Sequence, residues 1–197
     1  MAINANKPER WKEDVAASVD QFNDWFLRFA PATYRETRRG TARVVRTALR
    51  DLGDLLQLTP EALREHPGTL HVLRMSTAPP LARDRLTGLS GVNRSLVARL
   101  EEGSLPPRMD IARLTEQLGR ICRTIVTLLD QDLLPWLGEG RSARASEHRR
   151  AAIVIADRLC GFLSDPIIRN AQERRQLERL SEFLEHHGYR AAETGAG

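Results

Sequence analysis

Lysine is almost missing from this chain of 197 residues: of its 30 basic side chains only Lys7 and Lys12 are lysines, and the rest are arginine. Cysteine occurs twice, at Cys122 and Cys160, each inside an apolar helical pattern. Two such thiols exclude a disulfide framework, offer no metal-site spacing, and read as buried free thiols of a reducing compartment. No run approaches the ~18 apolar residues of a membrane span, and the N-terminus carries no apolar signal core. The expectation is a cytoplasmic protein with no membrane partner. Strand patterns are missing too, since no stretch alternates β-branched and polar residues. There is no phosphate-cradling glycine loop, and Ser76 and Ser90 lack the strand-turn-helix setting of a nucleophile elbow. His66, His71, His148, His186 and His187 fall on helices or loops without the frame of a metal-binding hairpin. No catalytic residue and no metal ligand is identified, and no small-molecule substrate is expected.

What remains is arginine-rich and helical. Apolar residues at 41% and charged residues at 28% are enough for a core, so disorder is expected only at the ends, including a tail at 191–197. The charge is segregated. Residues 31–50 hold six arginines against one acid and residues 73–100 five against one, whereas 101–140 is net acidic. Together with a pI near 9.7 this suits a polyanionic partner met by one face.

A first helix is expected over 8–29, with Trp11, Val15, Val19, Phe22, Phe26 and Phe29 at three- and four-residue steps as its core stripe and Pro31 as its stop. Thr33 and Glu36 form a capping box for a second helix to about Leu52. On that helix Arg35, Arg39, Arg43, Arg46 and Arg50 share one side and Tyr34, Thr41, Val45, Ala48 and Leu52 the other. Such a stripe fits along a phosphate backbone, and it equally fits a solvated face. Thr59-Pro60-Glu61 starts a short helix, and Pro79-Pro80 makes a rigid, non-helical approach to the central helical stretch. Asp110 caps a long helix ending near Pro135. GEGRSARAS at 138–146 reads as a linker between a domain over 1–137 and a helical pair over 147–190. The last helix of that pair is expected to start at Asp165-Pro166 and stop at Gly188.

The central stretch 81–102 is the most informative. Two short amphipathic helices flank Gly91-Val92-Asn93, with Leu96, Val97 and Leu100 as a core face and Glu102-Gly103 as exit. The layout resembles the helix-turn-helix of phage-repressor-type regulators, whose second helix enters the major groove by its N-terminal end. Here that end is Asn93-Arg94-Ser95. The residues expected to face DNA are Asn93, Arg94, Ser95, Arg99, Arg83 and Arg85, with Arg35, Arg39, Arg43 and Arg46 of the stripe as phosphate contacts. A plain helical hairpin with a solvated arginine face accounts for the same pattern.

Longer strings carry a second resemblance. WKEDVAASVDQFNDWFLRFAPATYRETR, LRMSTAPPLARDRLTGLSGV with its LPPRM exit, and ADRLCGFLSDPIIRNAQERRQLERLSEFLEHHGY together resemble the XamI family of type II restriction endonucleases, over about residues 1–190. The resemblance implies a restriction–modification enzyme that cuts both strands of double-stranded DNA at a short palindrome, a homodimer when full length, using Mg²⁺ held by acids near an Asp/Glu-x-Lys on a mixed sheet. The chain departs from that pattern: no lysine follows Lys12 and no Asp/Glu-x-Lys occurs, so no Mg²⁺ ligand is identified. Glu173 or Glu178 on the last helix would stand beside such a site. The expectation is an all-α DNA-binding portion whose C-terminal helical pair begins a nuclease domain, with the catalytic sheet truncated. The alternatives are a helix-turn-helix regulator without enzymatic activity and a helical interaction module.

Overall fold

The computed structural model describes residues 7–189, and among these the chain is all-α, with no strand beyond an isolated bridge between Thr77 and Leu129. The expected tail at 191–197 lies outside the described residues. The helices are α1 Pro8–Asp51, α2 Pro60–Glu65, α3 Leu70–Met75, α4 Arg83–Ser90, α5 Arg94–Glu101, α6 Ile111–Leu128, α7 Pro135–Gly138 and α8 Ala145–His186.

Two expected helix breaks are not there. Pro31 lies inside α1 and Pro166 inside α8, so the Thr33 capping box and the Asp165-Pro166 start cap nothing. Proline removes one backbone hydrogen bond and crowds the preceding turn, yet its fixed φ is helical. At both positions helical residues continue on either side, and the buried side chains that come after Pro31 (Thr41, Val45, Ala48, Leu49 and Leu52) hold the next turns in register. The segment at 138–146, expected as a linker, closes α7 and leads directly into α8.

Contacts group the chain into two units, residues 1–35 with 163–197 and residues 36–162. In the first, the early part of α1 and the late part of α8 meet through Arg175, whose Nη2 donates to the Gln21 carbonyl at 2.9 Å and whose guanidinium lies 5.6 Å from the centre of the Trp25 ring. Phe22, Trp25, Phe26 and Phe29 form a ladder, with the Trp25 and Phe29 rings 5.1 Å apart. The aromatic stripe expected as core is in fact largely exposed: Trp11 is 61%, Val19 51% and Phe26 41% accessible. The two helical segments of this unit have too little surface to cover a stripe of that length. Gly188, with φ 82°, ends α8 as expected, the Tyr189 amide donating back to the Leu184 carbonyl.

The second unit contains the main core. Val45 and Leu49 of α1, Leu63, Leu70, Leu73, Leu86, Leu96, Leu100, Leu118, Ile121 and Ile125, Trp136, and Ile155 and Leu159 of α8 are all fully buried. Cys122 and Cys160 are buried and not joined in a disulfide. α4 packs on α5 and α6, and α5 packs on α3. Arg158 of α8 ties the far end together, donating to Asp130 Oδ2 at 2.9 Å and to the Met75 carbonyl at 3.1 Å. After α1 the backbone makes a left-handed run through Gly53, Asp54 and Leu55, with φ of 52°, 56° and 67°. The Trp136 indole N–H fastens it by donating to the Asp54 carbonyl at 2.9 Å.

Candidate nucleic-acid interface

The helical pair α4–α5 is built by local signals visible in the chain. Gly91 takes the left-handed conformation (φ 62°, ψ 33°) that lets the backbone reverse after α4, and Val92 tucks into the core. Asn93 is the N-cap of α5: its side-chain oxygen accepts from the Ser95 amide at 2.8 Å and from the Ser95 hydroxyl at the same distance. Leu96, Val97 and Leu100 face inward, as their spacing required. Gly103 (φ 75°) closes the helix, and the Ser104 amide donates to the Arg99 carbonyl at 2.9 Å. Leu89 lies within α4, in the first helix of the central stretch, although it is 56% exposed, whereas Leu81 precedes the helix and is buried.

The buried ion network below this pair was not visible in the sequence. Glu101, in the last turn of α5, accepts from Arg74 Nε at 2.5 Å through Oε1 and from Arg83 Nε at 2.7 Å through Oε2. Arg74 is wholly buried, donates also to the Leu81 carbonyl, and stacks 4.8 Å from the Phe162 ring centre. One carboxylate therefore ties α5 to α3 and to the first residue of α4, which fixes how the second helix of the pair is presented.

The expected DNA-facing residues differ in availability. Arg94 is exposed on the first turn of α5 and pairs loosely with the equally exposed Asp84 at 3.2 Å. Asn93 and Ser95 spend their oxygens on the cap, and the Asn93 amide NH₂ remains as a donor on an exposed residue. Arg85 and Arg99 are exposed and make no side-chain hydrogen bond or ion pair among the described residues. Arg83, by contrast, is committed to Glu101. Arg39, Arg43 and Arg46 are exposed along α1 in the second unit, while Arg35 belongs to the first unit. Sequence reasoning missed Arg108 and Arg113, which join Arg99 around a hollow of about 730 Å³ with Asp110 at its edge. No linear signal marks them, because the loop at 102–110 brings the three arginines together.

Among the described residues no three His, Cys, Asp or Glu side chains converge as a metal-holding group. The residues present do not fit a Mg²⁺ site, and Glu173 and Glu178 stand exposed on α8 with no such group around them. No described helix is long and apolar enough to cross a membrane.

The described residues thus define an all-α protein with an exposed, arginine-bearing helical pair. The XamI restriction endonuclease family model matches residues 53–197, and the chain belongs to that family. It is 50% identical over 187 residues to the type II restriction enzyme SalI of Streptomyces albus G. That match takes in 95% of this chain and 59% of the relative, so the chain spans about three fifths of that enzyme's length. No solved structure matches.

Proposed function

We propose that these residues form the DNA-binding helical portion of a type II restriction endonuclease acting on double-stranded DNA in a restriction–modification system. The observation that carries this is the capped N-terminus of α5, where Arg94 projects from a helix whose angle is set by the Glu101 clamp, within a chain of the XamI family. Arg94 and the Asn93 amide reach base edges; Arg99, Arg85, Arg108 and Arg113 and the α1 arginines Arg39, Arg43 and Arg46 take phosphates. Arg83 serves the pair from within, as the partner of Glu101.

Mg²⁺ is the cofactor usual for the family, and the described residues supply no ligand set for it, so no step is routed through the metal. The chain acts as a homodimer, in keeping with a palindromic site. The exposed Trp11, Val19 and Phe26 of α1 and Leu177, Leu180 and Phe183 of α8 in the first unit support self-association, since apolar faces of this extent mark interaction surfaces.

Fluorescence anisotropy on duplexes containing and lacking the preferred site, repeated across salt concentrations, tests the reading. Preferential binding to one short palindrome is expected, with weak salt-sensitive binding to random duplex. Incubation of the chain with supercoiled plasmid and Mg²⁺ is expected to leave it intact, and nicking abolished by EDTA would overturn a purely DNA-binding role.

A further inference from the structure

Within the second unit a cleft of about 550 Å³ lies between α1 and the start of α8. One wall is a single face of α1, Arg38, Ala42 and Arg46 at four-residue steps. The facing wall is α8, with Arg149 above the small side chains of Ala152 and Ala156. His148 and Asp54 close the head, His148 Nε2 lying 3.4 Å from Asp54 Oδ1.

The three arginines make no side-chain hydrogen bond or ion pair among the described residues, and the single carboxylate of the lining, Asp54, is already occupied by His148. Three guanidinium groups around an apolar floor make a cationic setting, and the planar guanidinium fork matches phosphate oxygens. The first residue of α8, Ala145, also lines the cleft, so the positive end of that long helix adds to the same field. The floor is alanine, which leaves room for a flat or apolar group beside the phosphate. The volume falls in the range of small-molecule sites, roughly 300–1,000 Å³.

We propose that this cleft binds a nucleotide, its phosphate held by Arg38, Arg46 and Arg149 and its base or sugar lying on Ala42, Ala152 and Ala156. The site is separate from the α4–α5 pair and stands without the base-reading role given to Arg94. Its occupant comes either as a free mononucleotide or as one unit of a DNA strand, and the phosphate chemistry is shared.

Calorimetric titration of the full chain with dAMP, with deoxyadenosine and with inorganic phosphate, beside anisotropy on a short duplex, separates these sources. Expected is dAMP binding tighter than either fragment, weakened at least tenfold by Arg38→Glu and by Arg149→Glu and unaffected by Arg150→Glu, an exposed residue outside the lining. Ala42→Leu keeps every charge but fills the floor, and it is expected to weaken dAMP as well. Loss of duplex affinity in all three lining variants, without dAMP binding, supports the strand as source. If neither probe responds to the lining variants, or if Arg150→Glu weakens binding as much as Arg38→Glu and Arg149→Glu do while Ala42→Leu changes nothing, the proposal fails. Circular dichroism of each variant confirms that the fold is retained.

Discussion

Arg74 and Glu101, 27 residues apart in sequence, meet below the surface with Arg74 Nε 2.5 Å from Glu101 Oε1, while the other carboxylate oxygen holds Arg83. Removing one partner of a buried pair strands the other's charge, so Glu101→Ala is expected to lower unfolding free energy by about 3–5 kcal/mol. Urea denaturation measures it. A loss below about 1 kcal/mol, the scale of an exposed pair, would show that the clamp contributes little.

Arg94→Ala is expected to weaken binding to the preferred duplex by about 1–3 kcal/mol and leave random duplex nearly unchanged, because it removes a base contact. Arg43→Ala should instead reduce affinity for every sequence alike and lower the salt slope by about 1. Equal losses on both duplexes for Arg94→Ala would refute base readout.

Stability is expected to fall on acidification in two stages. Burial, with Arg74 acting the same way and Glu101 opposing, holds the His71 imidazole below its ordinary value. The unfolded chain therefore gains a proton near pH ~6.5 that the folded chain refuses, and stability present above that pH declines below it. Burial pushes the Asp130 carboxyl up, but hydrogen bonds from Arg158 and the Leu133 amide, with the charge of Arg158, outweigh it and bring it below the usual carboxylate range. Its contribution is present above that range and is lost as pH drops through the lowered value. Thermal melts from pH 8 to pH 3 check this: His71→Gln should flatten the upper part of the curve and Asp130→Asn the lower. Unchanged slopes in both variants would remove the explanation.

Burial pushes the Cys122 thiol up to about 12. The thiolate is the reactive form, so the native chain at pH 8 is expected to resist alkylation at Cys122 and to react after denaturation. Mass spectrometry of iodoacetamide-treated protein gives the answer, and rapid native labelling at that position would contradict the burial.

Phe26→Glu combined with Leu180→Glu should shift the chain from dimer to monomer in sedimentation velocity while leaving the circular dichroism unchanged. A monomeric parent protein would remove the proposed self-association.

What could be read in the chain was local. Asn93, Gly91, Thr59, Asp110 and Gly188 cap or stop helices where the sequence placed them, since each acts on its own backbone neighbours. Leu96, Val97 and Leu100 were legible as core because periodicity reports which face is apolar. It does not report whether a partner covers that face, and so Trp11 and Phe26 look interior from their spacing although they are exposed. The prolines mislead for a related reason: Pro31 and Pro166 penalise a helix locally, and continuity is decided by the helical turns on both sides. The ion triad of Arg74, Arg83 and Glu101 and the meeting of Arg99, Arg108 and Arg113 depend on tertiary folding, which no spacing encodes.

The turn at Gly53, Asp54 and Leu55 has a final consequence. Two of its three residues carry side chains in a conformation that disfavours them by about 1–2 kcal/mol each. Asp54→Gly would relax the backbone there, but His148 would lose the carboxylate it lies against. The strain at Asp54 is thus bound up with a tertiary contact, because the side chain that a glycine would lack is the one that reaches His148.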